Sequence, residues 1–332
     1  MEKVTYKKSG VDIFAASAFK SKLKFITRKS FRREVLSDIG GFGSFFKLRN
    51  NEYKEPVLVS SSDGVGTKLM IAKISGKHDT VGIDAVAMNV NDILCTGARP
   101  LFFLDYVAYS SVKEGVLLDV VKGINRGCIL SGCSLIGGET AQMPGMYRKG
   151  DYDIAGFCVG IAERKDIING SNILPGDKVI GLESSGLHSN GFSLVRKVFS
   201  LNELKRMSAE LLEPTRIYVK EVLGLLPDKN ITGIAHITGG AFYDKISRIL
   251  PGNIGVHIYK GSWRVPKIFH LIQHMGRMEE KEIYHTLNMG IGMVLIVREA
   301  AVKGIISRLI GAKLKSWVIG EAVKGKRLVE II

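Results

Sequence analysis

Apolar and polar positions along this chain recur in one order: a short apolar run, a polar corner rich in glycine, then a stretch with helical spacing. The clearest case starts at Val57-Leu58-Val59, stops at three serines and reaches Asp63-Gly64-Val65-Gly66-Thr67-Lys68. This predicts a strand running into a corner. From Ile83 to Cys95, the residues Val86, Val90, Ile93 and Leu94 supply the apolar cover of a predicted helix. At about 100° per residue, Asn91 falls nearly over Asp84 and Asp92 lies within roughly 80° of it. One side of the helix therefore carries two carboxylates and an amide. Gly97-Ala98-Arg99-Pro100 ends it, because proline cannot continue a helix. Leu101 to Leu104 then reads as a buried strand ending at Asp105.

The order repeats downstream. Asp119 to Ser131 is a predicted helix, with Val116, Val120, Ile124 and Cys128 at a spacing of four. The short strand Ser134-Leu135-Ile136 ends at Gly137-Gly138-Glu139-Thr140. Met143 to Tyr147 is a turn with large side chains, and Asp151 to Ala162 suits a sheet strand. The pattern breaks near Ile167 to Ser171. After the turn Leu174 to Asp177 come a strand (Lys178 to Leu182), a polar loop (Ser184 to Gly191) and a helix from Phe192. Ile234 to Gly240 is again a strand ending in Thr-Gly-Gly before a helix. Met289 to Val297 is an apolar strand, and Trp317 to Ile332 reads as strand, turn, strand. Mixed strands and helices predict an α/β protein with a boundary near residue 170, giving domains 1–170 and 171–332. No internal repeat is strong enough to indicate duplication.

Composition narrows the picture. A length of 332 residues suits two domains, and 45% hydrophobic residues supply their cores. No apolar run approaches the ~20 residues of a membrane span. The opening MEKVTYKKSG lacks the apolar core of an export signal. Four cysteines with no CxxC pair indicate a reduced, cytoplasmic protein. The net charge of +15, from 47 Lys and Arg against 32 acids, fits nucleic acid, acidic membrane or small phosphorylated ligands. Much of it lies in a predicted basic helix within residues 1–35, with Phe19, Leu23 and Ile26 on its apolar side. No aromatic stacking platform accompanies those lysines and arginines, so a charged outer face is preferred to a nucleic-acid surface. Gly40-Gly41-Phe42-Gly43 is either a flap over a ligand or a plain turn.

The candidate chemistry lies at the corners. Glycine lets the backbone approach an anion, Thr67 and Lys68 bind oxygens, and Asp63 can hold a cation. A carboxylate at Glu139 could join Asp63 and Asp92 around Mg²⁺ if three strand or helix ends converge at one sheet edge. Mg²⁺ takes only one or two protein carboxylates directly, so some of these acids must lie further out. The loop holding His188, Ser189 and Asn190 offers backbone N–H groups to an anion. The loop His236-Ile237-Thr238-Gly239 repeats the arrangement. His270 and His274 lack a third metal ligand and read as a wet helix face. The chain has neither the Walker spacing nor GxGxxG, and the serines do not fit GxSxG. Residue types alone reach phosphate plus a divalent cation and stop there.

A resemblance goes further. Asp63 to Lys68, Asp84-Ala-Val-Ala-Met-Asn-Val-Asn-Asp92, Gly97 to Asp105, Gly137-Gly-Glu-Thr-Ala-Gln-Met-Pro-Gly-Met-Tyr147 and Glu183-Ser-Ser-Gly-Leu-His-Ser-Asn-Gly191 resemble the phosphoribosylformylglycinamidine cyclo-ligase (AIR synthetase) family. The likeness runs from about Gly10 to the end. It implies two α/β domains with mixed sheets, the N-terminal one forming a homodimer, with ATP near that interface. The implied reaction closes formylglycinamidine ribonucleotide to aminoimidazole ribonucleotide in purine biosynthesis, with Mg²⁺ and ATP and without nucleic acid or membrane. On this likeness Lys24, Gly41, Gly43, Asp63, Gly64, Gly66, Thr67, Lys68, Asp84, Asn91, Asp92 and Asp105 bind ATP. Thr140, His188, Ser189, Asn190, His236, Thr238 and Gly239 bind the substrate. Asp63, Asp92 and Glu139 are the metal candidates, and Lys68 and His188 the catalytic ones. ATP-using relatives of the same architecture, such as selenophosphate synthetase and thiamine-phosphate kinase, are the competing reading. A basic RNA-binding protein is the competitor from another class.

Overall fold

Two sheets carry the structure. This computed structural model describes residues 13–49 and 52–332, with side chains from residue 19 onward. The opening segment read above for an export signal lies outside the described residues. The first sheet is built from β1 (Pro56–Gly64), β2 (Arg99–Tyr109), β3 (Ser134–Gln142) and β4 (Tyr152–Glu163) in the order β1-β4-β2-β3. β4 is antiparallel to both of its neighbours, and β2 and β3 run parallel.

Two of the expected corners are strand instead. Pairing of β1 with β4 continues through the serines to Asp63↔Gly156 and Gly64↔Ala155. β3 likewise runs on through Gly137 and Gly138 to Gln142, paired with Leu104 to Tyr109 of β2. A long partner strand satisfies the backbone of glycines and acids that local propensity alone would leave in a loop.

Helices α1 (Ile13–Thr27), α2 (Lys68–Ser75), α3 (Val81–Cys95) and α4 (Glu114–Ser131) accompany this sheet. α3 and α4 pack closely against each other, since a methyl group at Gly82 would strike the backbone of Val120 to Ile124. Val86, Val90 and Leu94 of α3 and Val120, Ile124 and Cys128 of α4 are fully buried. Each large apolar side chain so buried contributes about 1.5–3 kcal/mol. The opposite face of the sheet is covered in part, by Phe46 against Phe102, while Leu58 is 59% and Phe157 44% exposed.

The second sheet has the order β10-β7-β9-β5-β8-β6, where β5 is Lys178–Glu183, β6 Ile231–His236, β7 Ile254–Ile258, β8 Ile291–Val297, β9 Ser316–Lys324 and β10 Val329–Ile331. Only β10 and β7 pair in parallel. Every residue of β8 is buried, as its unbroken apolar run requires. α3 joins the two halves, packing against β1 and β4 on one side and against β6 and the helix Val219–Leu223 on the other. Among the described residues no helix is long and apolar enough to cross a membrane.

Candidate functional site

A cavity of about 660 Å³ opens at the β3 edge of the first sheet. Phe19, Leu23 and Lys24 of α1, the loop from Ile39 to Ser44, Leu117 and Val121 of α4 and the segment Gly137 to Thr140 line it. Of the residues singled out from the sequence, the cavity gathers Lys24, Gly41, Gly43, Asp105, Glu139 and Thr140. The Lys24 side chain lies along the glycine loop, and a methyl at Gly40 would sit 3.6 Å from its Cε. Burial pushes the Asp105 carboxyl up to about 7, and the charge of Glu139 adds to this. Asp105 lies so close to β3 that a methyl at Gly138 would collide with its carboxylate and backbone carbonyl. Phe42 projects fully into solvent at the tip of the loop.

The remaining candidates form a second group along α3, where the halves of the chain meet. Lys68 and Asp84 are both fully buried and pair at 2.9 Å. Lys68 also donates to the Glu213 carbonyl at 2.7 Å, and Phe192 stacks beneath its ammonium. The Asp84 carboxylate further accepts from the Thr215 backbone N–H at 2.7 Å, the Thr215 hydroxyl at 2.6 Å and the Ser189 hydroxyl at 3.1 Å. In this structure Lys68 is turned into the protein and does not line the cavity. Among the described residues its one ion pair is with the buried Asp84 carboxylate, and burial lowers the pKa of its ammonium while Asp84 and then Glu213 oppose that. Asp84, Asn91 and Ser189 are likewise turned to the contact between the halves and do not line the cavity. Thr67, at the start of α2, reaches Ser193 at 3.1 Å.

His188 is corrected in the same way. Its Nε2 accepts the backbone N–H groups of Ser185 and Arg216, at 3.2 and 3.5 Å. The proton must then sit on Nδ1, which is buried and has no partner among the described residues. Burial holds its pKa well below the ordinary histidine value, with nearby His236, Lys68 and Arg216 adding to the effect. In this structure the ring is held through Nε2 by two backbone donors and does not line the cavity, while its Nδ1 is left unpartnered among the described residues.

Asp63 and Asp92 keep a different character. Asp63 accepts its own neighbour's N–H, from Gly64, at 2.8 Å. Asp92 is 46% exposed and accepts from His236 Nδ1 at 2.8 Å. Burial raises the Asp63 carboxyl above the usual range, and the Asp92 charge raises it further. Neither acid is in an ion pair with a lysine or arginine among the described residues. Glu139 does not join them. β1 and β3 are opposite edges of the sheet, three strand spacings or about 14 Å apart. No group of three or more His, Cys, Asp or Glu side chains among the described residues is arranged to hold a metal. Two carboxylates do fit Mg²⁺ when phosphate and water complete its shell.

The polar loops of the second half meet each other, and His236 brings one of them to Asp92. Gly239 adjoins the Asn190 carboxamide, whose Nδ2 is buried without a partner among the described residues. Sequence reading missed Thr215, Arg216 and Tyr218, which hold Asp84, Asn91 and His188 through their backbones. The one local signal was Pro214, which marks an extended segment between two short helices. It also missed the apolar cavity wall from α1 and α4, which sequence periodicity cannot distinguish from core.

Family models match the two halves of the chain separately. Residues 51–162 match the family described as AIR synthase related protein, N-terminal domain, and residues 175–332 match its C-terminal domain. A phosphoribosylformylglycinamidine cyclo-ligase of Geobacter metallireducens is 53% identical over 343 residues, covering 99% of each chain. The chain belongs to the phosphoribosylformylglycinamidine cyclo-ligase family. A cyclo-ligase of Acetivibrio thermocellus is 50% identical over 337 residues, covering 98% of this chain and 99% of its own. Among solved structures, thiamine-monophosphate kinase from Stenotrophomonas maltophilia superposes with a TM-score of 0.70 over 94% of each chain. Hydrogenase maturation protein HypE in complex with ATP gives 0.70 over 96% of this chain and 91% of its own. Both are only 16% identical to this chain, so these likenesses concern the fold. Identity near 50% is confined to the cyclo-ligases among these relatives and separates the two readings that the fold leaves open.

Proposed function

We propose how this member of the family performs the ATP-dependent ring closure of formylglycinamidine ribonucleotide to aminoimidazole ribonucleotide. The observation that carries the reading is the pair Asp63 and Asp92, each with one oxygen already held and the other without a partner among the described residues. The base of ATP enters the apolar cavity at the β3 edge, beside Lys24, Gly41, Gly43 and Thr140, and its phosphates extend from there across the sheet toward Asp63 and Asp92. Asp63 and Asp92 hold Mg²⁺, which neutralises phosphate charge when bound. Asn190, Thr238 and Gly239 face the ribonucleotide, because the free Asn190 amide is a donor awaiting an acceptor. The formyl oxygen of the substrate is a poor leaving group until it accepts the γ-phosphoryl group. The neighbouring nitrogen then attacks the activated carbon, and phosphate departs. The protein's part is to align two anionic ligands and exclude water.

Residues 1–170 serve as the nucleotide domain and 171–332 as its partner. The nucleotide domain forms a homodimer through the open face of its sheet, since Leu58, Phe157 and the half-buried Val159 make an apolar surface that the described residues leave uncovered. Four free cysteines suit the cytoplasm. The site is tested by Asp63→Asn and Asp92→Asn, each of which keeps shape but removes charge. Turnover should fall on the order of 10²-fold or more in folded protein. Normal rates at limiting Mg²⁺ in both variants would sink the assignment.

A further inference from the structure

His236 ends β6 in the second half of the chain, and its ring is 2% exposed. Both ring nitrogens are occupied by residues of α3 in the first half. Nδ1 faces Asp92 Oδ1 at 2.8 Å, and Nε2 faces Asn91 Nδ2 at 3.4 Å. The Asn91 amide cannot be turned round, because its Oδ1 accepts the Tyr218 backbone N–H at 3.1 Å and its Nδ2 donates to the Arg216 carbonyl at 2.8 Å. Nε2 therefore faces a donor and carries the lone pair, so Nδ1 carries the proton and gives it to Asp92. With both nitrogens used inside the protein, the ring has nothing left to offer the ribonucleotide. This replaces the substrate contact expected from the sequence.

We infer that His236 is a positioning residue: it fixes the Asp92 carboxylate, across the contact between the halves, so that its exposed oxygen faces the cation beside Asp63. This rests on the reading that Asp63 and Asp92 hold Mg²⁺. Unrestrained, a carboxylate on an exposed helix position samples several rotamers, and orienting it in advance removes that cost from cation binding. The orienting partner belongs to the half that carries the Thr238–Gly239 loop, so docking of the halves and completion of the cation site become one event.

The experiment is a Mn²⁺ titration followed by electron paramagnetic resonance, with a non-hydrolysable ATP analogue present, in the full-length protein. Hydrogen-bond partners of metal ligands are worth ~10–100-fold in metal affinity. His236→Gln, whose amide reaches the Nε2 side and not Asp92, should weaken Mn²⁺ about 10-fold or more. His236→Asn places a donor where Nδ1 stood and should restore most of the loss. Circular dichroism and the analogue's affinity without metal check that both variants fold. Asp92→Asn separates the two levels of the argument. If it leaves Mn²⁺ binding intact, the cation site itself is misplaced. If it weakens binding while His236→Gln does not, or if Asn fails to rescue in folded protein, the positioning role is overturned.

Discussion

Replacing Lys68 by Met asks whether the lysine of the Asp63–Lys68 segment serves a phosphate or the protein. In the structure its ammonium is fully buried between Asp84, the Glu213 carbonyl and the Phe192 ring. Methionine matches the stem but leaves the Asp84 charge with hydroxyl and amide donors only, from Ser189 and Thr215. Removing one partner of a buried pair costs about 3–5 kcal/mol, because the other charge stays desolvated. The same step frees the Glu213 carbonyl, so the upper end of that range is expected. Urea unfolding followed by circular dichroism measures the loss. Adding Asp84→Asn to Lys68→Met removes the stranded charge and should return about 1–3 kcal/mol, a non-additivity that marks direct coupling. Affinity for an ATP analogue should stay within about threefold, since other residues line the cavity and distant sites act independently. A Lys68→Met protein of normal stability that has lost nucleotide affinity would refute the reasoning and return Lys68 to the phosphates.

Three further outcomes follow from the geometry. Gly138→Ala drives a methyl into Asp105, so it should cost about 1–3 kcal/mol in stability and weaken nucleotide binding, both readable by thermal melts with and without ATP analogue. Burial depresses the pKa of His188 below the ordinary histidine value of about 6.5, so its contribution is complete above that pH and is lost as pH falls towards the folded value. The slope approaches 1.36 kcal/mol per pH unit for one proton, and His188→Asn, which tolerates the left-handed backbone there (φ 62°), should flatten denaturation midpoints measured from pH 7.5 to 5.5. Replacing Cys95, Cys128, Cys133 and Cys158 by Ala should leave turnover intact at about 1 kcal/mol per buried thiol, and zinc bound stoichiometrically to the natural protein would contradict this.

Much of the architecture was legible because periodicity reports burial. The helix predicted from Ile83 to Cys95 forms as α3, and the apolar run ending at Val297 forms the fully buried β8. The polar positions of α3 were visible too, but not what they face. Asp84, Asn91 and Asp92 share one side of the helix, and the sequence says nothing of the second half of the chain docking there. Burial then turns Asp84 and Asn91 into internal contacts and leaves Asp92 alone at the opening. Glu139 was grouped with Asp63 because both follow short apolar runs. Strand order decides that question, and order is a long-range property: β4, last in sequence, inserts between β1 and β2. In the described part of the basic N-terminal segment, Lys22 pairs with Glu114 and Lys29 lies over the Phe25 ring, both at the surface.

The most direct test of the whole account counts products. Purified protein with Mg²⁺ and ATP should release phosphate one-for-one with aminoimidazole ribonucleotide when given formylglycinamidine ribonucleotide, and neither product when given thiamine phosphate, selenide or RNA. Phosphate release with thiamine phosphate or selenide, or release uncoupled from ring closure, would leave the fold standing and contradict the function.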